Sequence, residues 1–154
     1  MVNPIIVKSS GGPRFLFNLD ANVGPGCPNR PDDVAFVQLG YYAVLRDPTN
    51  ATKMSAADRS AFAKIVPGAA YTGSAEDPLT RAISVHETSR GGTRDGHVSV
   101  ARGSGFYDAA HTFIVVALNN ALRDTLKGDY PRIDKHPQCP AVLRSTVVKI
   151  LTGQ

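Results

Sequence analysis

His86 and Glu87 form the first pair whose chemistry bears on function. An imidazole beside a carboxylate opens the helix of a zinc peptidase, where a second histidine four residues on completes the metal pair. Position 90 is Arg, so that second ligand is missing. His86 also shares a helical face with Leu79, Ala82 and Ile83, which predicts a hydrogen-bonded histidine at the edge of a core. His97 and His111 flank a glycine-rich link, with Asp95 and Asp108 nearby. A catalytic zinc needs two histidines and a carboxylate converging beside an open position, and nothing in this spacing is a signature of that. Asp108 reads better as a helix cap, and Asp95-Gly96 as a turn. Asp134, His136 and Cys139, which Cys27 could complete, make a third candidate set. There Pro131, Pro137 and Pro140 favour a rigid connector. No metal and no other cofactor is expected.

Nucleophilic chemistry has less to stand on. Ser104 lies in Gly103-Ser104-Gly105, which is not the Gly-x-Ser-x-Gly elbow of a hydrolase. Cys27, between Gly26 and Pro28, has no identifiable base. Arg102 to Gly105 lacks the Lys-Ser/Thr ending of a phosphate loop. For binding, a carbohydrate site wants exposed aromatic faces with amide and carboxylate partners. The rings on offer are Tyr41, Tyr42, Tyr71, Phe106 and Tyr107, and Trp is absent. Tyr42 falls off the apolar face of its helix and Phe106-Tyr107 falls in a loop. Together with Asp95 these are the expected ligand-binding residues. The competing reading is that the rings pack core edges or a protein interface.

The elements that must position these residues follow from pattern. Ile5-Ile6-Val7 and Phe15-Leu16-Phe17 are β-prone runs around the turn signal Ser9 to Pro13, which predicts an N-terminal hairpin or arm. A helix is expected over Pro31 to Arg46. Pro31 suits its first position, Asp32 and Asp33 suit the positive end of its dipole, and Val34, Val37, Tyr41, Val44 and Leu45 form its apolar face. Pro48 stops it. Ser55 and Asp58 predict a capped second helix with Phe62, Ile65 and Val66 buried. Ser74 is expected to cap a third, with Pro78 in its first turn and Gly91-Gly92 at its end. The alternation of His97-Val98-Ser99-Val100 suggests a small strand pairing with the N-terminal arm. A central helix is expected from about Asp108 to Lys127, although Ile114-Val115-Val116 leaves a strand open. A last helix starts at Pro140, with Leu143, Val147, Ile150 and Leu151 as its stripe.

The 154 residues suit one domain with a core of its own, and the net charge of +4 is spread over scattered Arg and Lys. A nucleic-acid binder would gather them on one stripe, so nucleic acid is not an expected partner. No run approaches the roughly 18 apolar residues of a membrane span. Met1 to Lys8 lacks the pattern of a secretory signal, so synthesis in the cytoplasm is expected, with delivery to the envelope or assembly into a particle left open. Two cysteines, Cys27 and Cys139, make no disulfide framework. Free thiols are the expectation, with pairing in an oxidising compartment the alternative.

Three short pieces carry a resemblance. Asn29-Arg30-Pro31-Asp32-Asp33-Val34-Ala35-Phe36-Val37-Gln38 resembles the opening of peptidoglycan-binding-like modules, Asn-x-Pro-x-Asp-Val followed by an x-x-Val-Gln helix. Ala82-Ile83-Ser84-Val85-His86-Glu87 stands where that family has an Ala-Ile-x-x-Phe-Gln helix, with His86-Glu87 in place of the aromatic-Gln pair. Asp95-Gly96-His97-Val98 matches the Asp-Gly-x-Val turn that follows. Their order fits the family's three-helix module over residues 23–120, with 128–154 as a C-terminal extension. The resemblance implies a mainly α fold, a small helical bundle with a short N-terminal β element. It also implies a non-catalytic module that engages cell-wall glycan, or a component of a phage-tail-like or secretion-related assembly. The alternatives are a small metal-dependent cell-wall hydrolase using His86, His97, His111 or His136, and a protein-interaction adaptor with no glycan role.

Overall fold

A computed structural model describes residues 1–9, 11–91, 93–102 and 113–153. Strands β1 (Asn3–Ser9) and β2 (Gly12–Asn18) form an antiparallel pair, with Asn3 opposite Asn18 and Ser9 opposite Gly12. The expected hairpin is therefore present. Among the described residues six α-helices follow, so the fold is mainly α with a short two-stranded sheet.

Helix α1 (Pro31–Arg46) keeps the expected bounds, with Pro31 at its first position and Asp32 and Asp33 in its first turn. It is buried on nearly every side, including at Asp32, Asp33 and Gln38. A short helix α2 (Pro48–Lys53) was not expected. Pro48 does end α1, but it also opens α2, because Asp47 accepts a hydrogen bond from the Thr49 amide at 2.8 Å. Helix α3 (Ala56–Ala63) carries the reciprocal box between Ser55 and Asp58. Phe62 and Ile65 are buried as expected, whereas Val66 is 62% exposed because α3 has ended at Lys64 and the chain turns outward.

Helix α4 (Pro78–Arg90) is capped by Asp77 and not by Ser74. The two oxygens of Asp77 take the amides of Leu79 and Thr72, so Asp77 holds both the helix and the loop before it. Gly91, at φ +68°, ends the helix in the left-handed region. Ile114–Leu126 is helix α5, which settles the strand alternative; the expected start at Asp108 lies outside the described residues. Helix α6 (Ala141–Thr152) buries Leu143 and Val147 completely, with Ile150 and Leu151 half-buried.

The segment around Val98 makes one bridge, to Val23, and not to the hairpin. The reason lies at the end of β2. The Asn18 side chain donates to the Ala101 carbonyl at 2.9 Å and accepts from the Ala101 amide at 3.0 Å, standing in for a strand. Helix α1 packs against α2, α3, α5 and α6, while α3 packs on α4 and α5 on β2. At Gly40 a Cβ would lie 2.7 Å from the Leu118 Cβ, so α1 and α5 touch backbone-close. Among the described residues no helix is long and apolar enough to cross a membrane.

The hairpin is clamped to α5 by Asn119, which is fully buried. Its Oδ1 accepts from the Phe17 amide and the Tyr130 hydroxyl, both at 2.8 Å. Its Nδ2 donates to the Phe17 and Val115 carbonyls, also at 2.8 Å. Replacing Asn119 by the similarly sized Leu strands the Phe17 amide and carbonyl in an apolar interior. Urea denaturation of Asn119→Leu is expected to show a loss of about 3 kcal/mol or more. Gly40→Ala, which overpacks the α1–α5 contact, is expected to lose about 1–3 kcal/mol by the same measurement.

Candidate functional site

The C-terminal half of α1 forms one side of a cleft of about 420 Å³ whose other walls come from α2, α3, α4 and α5. Val44, Met54, Phe62, Ala117 and Ala121 make its apolar part. Its polar part comes from Asp47, Asn50, Lys53, Asn120 and Asp124, together with Asp58, His86, Ser89 and Arg90.

His86 is held from below. Its Nδ1 is hydrogen-bonded to the Tyr41 hydroxyl at 3.1 Å, and its ring meets Tyr41 edge-on at 5.6 Å. Burial, with the Arg90 charge adding to it, pushes the imidazole down to about 4. Burial and the nearby Glu87 charge push the Tyr41 phenol far up. At neutral pH the pair is uncharged, a core-edge histidine on a buried phenol.

Asp47 and Asp124 add two carboxyls to the lining. Asp47 is only 5% exposed and accepts from the Thr49 amide and from the Asn50 amide side chain at 3.0 Å. Asp124 is exposed at the rim, and its carboxyl is raised by partial burial and then by the Asp47 charge facing it. Asp47, which ends α1, and Asp124, in the last turn of α5, line the same cleft.

Apart from His86, the described residues singled out from sequence lie elsewhere. Tyr42 is half-buried; the Arg46 guanidinium sits 3.3 Å from its ring centre and His136 meets it perpendicularly at 5.8 Å. One of its faces is thus already covered. Asp95 is exposed and accepts from the His97 amide at 2.9 Å, the expected turn. Phe106 and Tyr107 lie outside the described residues, as do Ser104, Asp108 and His111. His97 Nε2 is hydrogen-bonded to the Pro25 carbonyl at 3.0 Å. Asp134 takes a two-pronged hold from Arg132 at 2.9 and 2.7 Å, and those hydrogen bonds lower its carboxyl. His136 Nδ1 accepts from the Gln138 amide at 3.1 Å, and burial lowers its imidazole. Cys27 and Cys139 are free thiols; burial raises both, Cys139 to about 11. Among the described residues no group of three or more His, Cys, Asp or Glu is placed to hold a metal ion.

The cleft residues Asp47, Asn50, Asn120 and Asp124 escaped the sequence reading. Asp47 and Asn50 belong to an unexpected helix. Asn120 and Asp124 belong to α5, where pattern alone marks only the apolar face. The signal that was there is Asp47-Pro48, a capping pair read only as a stop.

No protein-family model matches the chain, and neither curated proteins nor solved structures supply a match.

The depressed His86 imidazole makes a stability prediction. An unfolded histidine titrates near 6.5 and the folded one near 4, so the unfolded state takes up the proton first as pH falls. The contribution of neutral His86 is full above pH 6.5 and is lost as pH falls through 4. Asp33 acts in the opposite sense. Burial raises its carboxyl from 3.8 to about 6, so its contribution is present at low pH and lost as pH rises through 6. Comparing wild type with His86→Phe cancels the Asp33 effect. The stability of the variant relative to wild type is expected to improve by up to about 3 kcal/mol between pH 6.5 and pH 4, in urea titrations across that range.

Proposed function

We propose that this chain is a non-catalytic binding module, a small helical bundle of peptidoglycan-binding type, and that the cleft beside α1 receives cell-wall glycan or its attached peptide. The cleft carries the reading. Amide and carboxyl groups line it beside an apolar floor, the mix that orients a ligand rich in hydroxyl and amide groups. The family part of the proposal is supported by the contact between the second and third resembling pieces and by the third reaching the loop that leads into the first. Asn29, at the head of the first, accepts from the Gly24 amide at 2.8 Å. Glu87, closing the second, accepts from the Gly96 amide of the third at 2.9 Å. Val98 of the third bridges to Val23 just before the first.

A binding role also suits the chemistry of the histidines. His86 is neutral and tied to Tyr41, His97 is tied to Pro25, and His136 is tied to Gln138. These bonds hold all three rings in structural roles.

The test is co-sedimentation with purified peptidoglycan sacculi. Wild type is expected to pellet with sacculi, and the double variant Asn50→Ala/Asn120→Ala to bind roughly tenfold more weakly, with an unchanged circular dichroism spectrum. Wild type remaining in the supernatant at every concentration would reject the glycan reading and direct attention to a protein assembly instead.

A further inference from the structure

We propose that the outer edge of β1 pairs antiparallel with β1 of a second copy of this chain, joining two hairpins into one four-stranded sheet. Among the described residues the sheet has two strands, so β1 has a strand neighbour on one side only. The contacts of β2 show which residues face the open side. Phe17 gives its amide and carbonyl to Asn119, and the Phe15 carbonyl accepts from Arg123 and Tyr130, so both residues point away from β1. In an antiparallel pair, the residues opposite such positions point away as well. Those are Pro4, opposite Phe17, and Ile6, opposite Phe15, with Lys8 next in the alternation. Pro4 has no N–H to give to β2, which fits this phase.

The two edges of the hairpin therefore differ. Side chains of α5 and Tyr130 cover β2, whereas Pro4, Ile6 and Lys8 are exposed, Ile6 at 65%. The open stretch is short. At one end the Val2 amide is held by Asp32 and Val2 is fully buried, and at the other β1 stops at Ser9. Ile6 lies midway.

Two registers of self-pairing make four hydrogen bonds each. With Ile6 on the two-fold axis, the two Ile6 residues exchange both bonds, and each Lys8 amide meets the Pro4 carbonyl of the other copy. With Val7 on the axis, Ile6 and Lys8 exchange bonds crosswise. Charge decides between them. The second register makes the two Lys8 diagonal neighbours about 7–8 Å apart. The first sets them four residues apart, roughly 14 Å, which exceeds the Debye length of about 8 Å at physiological salt. The first register also sets Ile6 against Ile6, and each already stands opposite its own Phe15. The result is an apolar row of Phe15, Ile6, Ile6 and Phe15 across four strands.

Pro4 and Lys8 are residue types that blunt an edge against other strands. Here they face each other, and the missing Pro4 N–H leaves only the Lys8 carbonyl unpaired, at the rim where water reaches it. The edge is complementary to itself, which makes a second copy its partner. One strand pair buries far less than the roughly 1,200 Å² of a stable complex, so the dimer is weak.

Sedimentation equilibrium and nuclear magnetic resonance of the full chain from about 10 μM to about 1 mM test this, with a Kd of about 0.1–1 mM expected. The Ile6 and Lys8 amides are expected to shift and to exchange more slowly as concentration rises, while the Val7 amide, which faces β2, does not. Ile6→Lys places two ammonium groups on the axis and is expected to weaken the dimer at least roughly tenfold. Ile6→Thr, which keeps a β-branched side chain, is expected to weaken it about threefold. A chain that stays monomeric throughout, shifts confined to another surface, or a dimer that neither variant weakens would overturn the proposal. An unrelated β-prone peptide that protects Ile6 and Lys8 while the chain alone stays monomeric would assign the edge to a different partner and overturn it too.

Discussion

Helix α1 is buried with polar side chains still on it, and most of the molecule is arranged to satisfy them. A carboxylate or amide taken from water without partners is costly, so each must be met by backbone brought from elsewhere. Asp32 receives the Val2 amide at 2.9 Å. Asp33 receives the amides of Asp20 and Ala21 at 3.1 and 3.0 Å. Gln38 takes the Gly68 amide at 2.8 Å and gives to the Ala69 carbonyl at 3.0 Å. The start of the hairpin, the chain leaving it and the loop between α3 and α4 are therefore fixed on one helix. Packing at Gly40 then brings α5 to the same axis.

This arrangement explains which parts of the fold were readable. The bounds of α1, the box of α3 and the hairpin rest on neighbours in sequence: Pro31 before two aspartates, Ser55 three before Asp58, two β-prone runs around a glycine turn. Where a residue is determined by something distant, pattern misled. Ser74 has the spacing of a cap, yet Asp77 takes that role because it serves Thr72 as well. Val98 has the alternation of a strand, but its partner is Val23, and the hairpin meets this segment through the Asn18 side chain at Ala101.

The site was less legible than the fold for the same reason. Tyr42 falls off the apolar stripe, but Arg46 one turn later covers its face. Asp95 was read correctly as a turn residue, and the turn is where its hydrogen bond goes. The cleft draws on five helices, each contributing one to four side chains, so no single stretch of sequence contains it. Packing of α1 on α5 places Asp47 and Asp124 in one cleft, and nothing in either helix's own pattern encodes that.

The clamp on the hairpin has a consequence for how the chain acquires its structure. Asn119 grips Phe17 across 102 residues, Tyr130 reaches the Phe15 carbonyl across 115, and Ala101 meets Asn18 across 83. During synthesis the hairpin emerges long before any of these partners. Until α5 leaves the ribosome, the Phe17 amide and carbonyl lack Asn119, and the strand pair presents an open edge with Ile6 still exposed in the finished fold. Loop closure over such distances slows folding, which leaves the hairpin edge open in the meantime to pairing with another nascent chain.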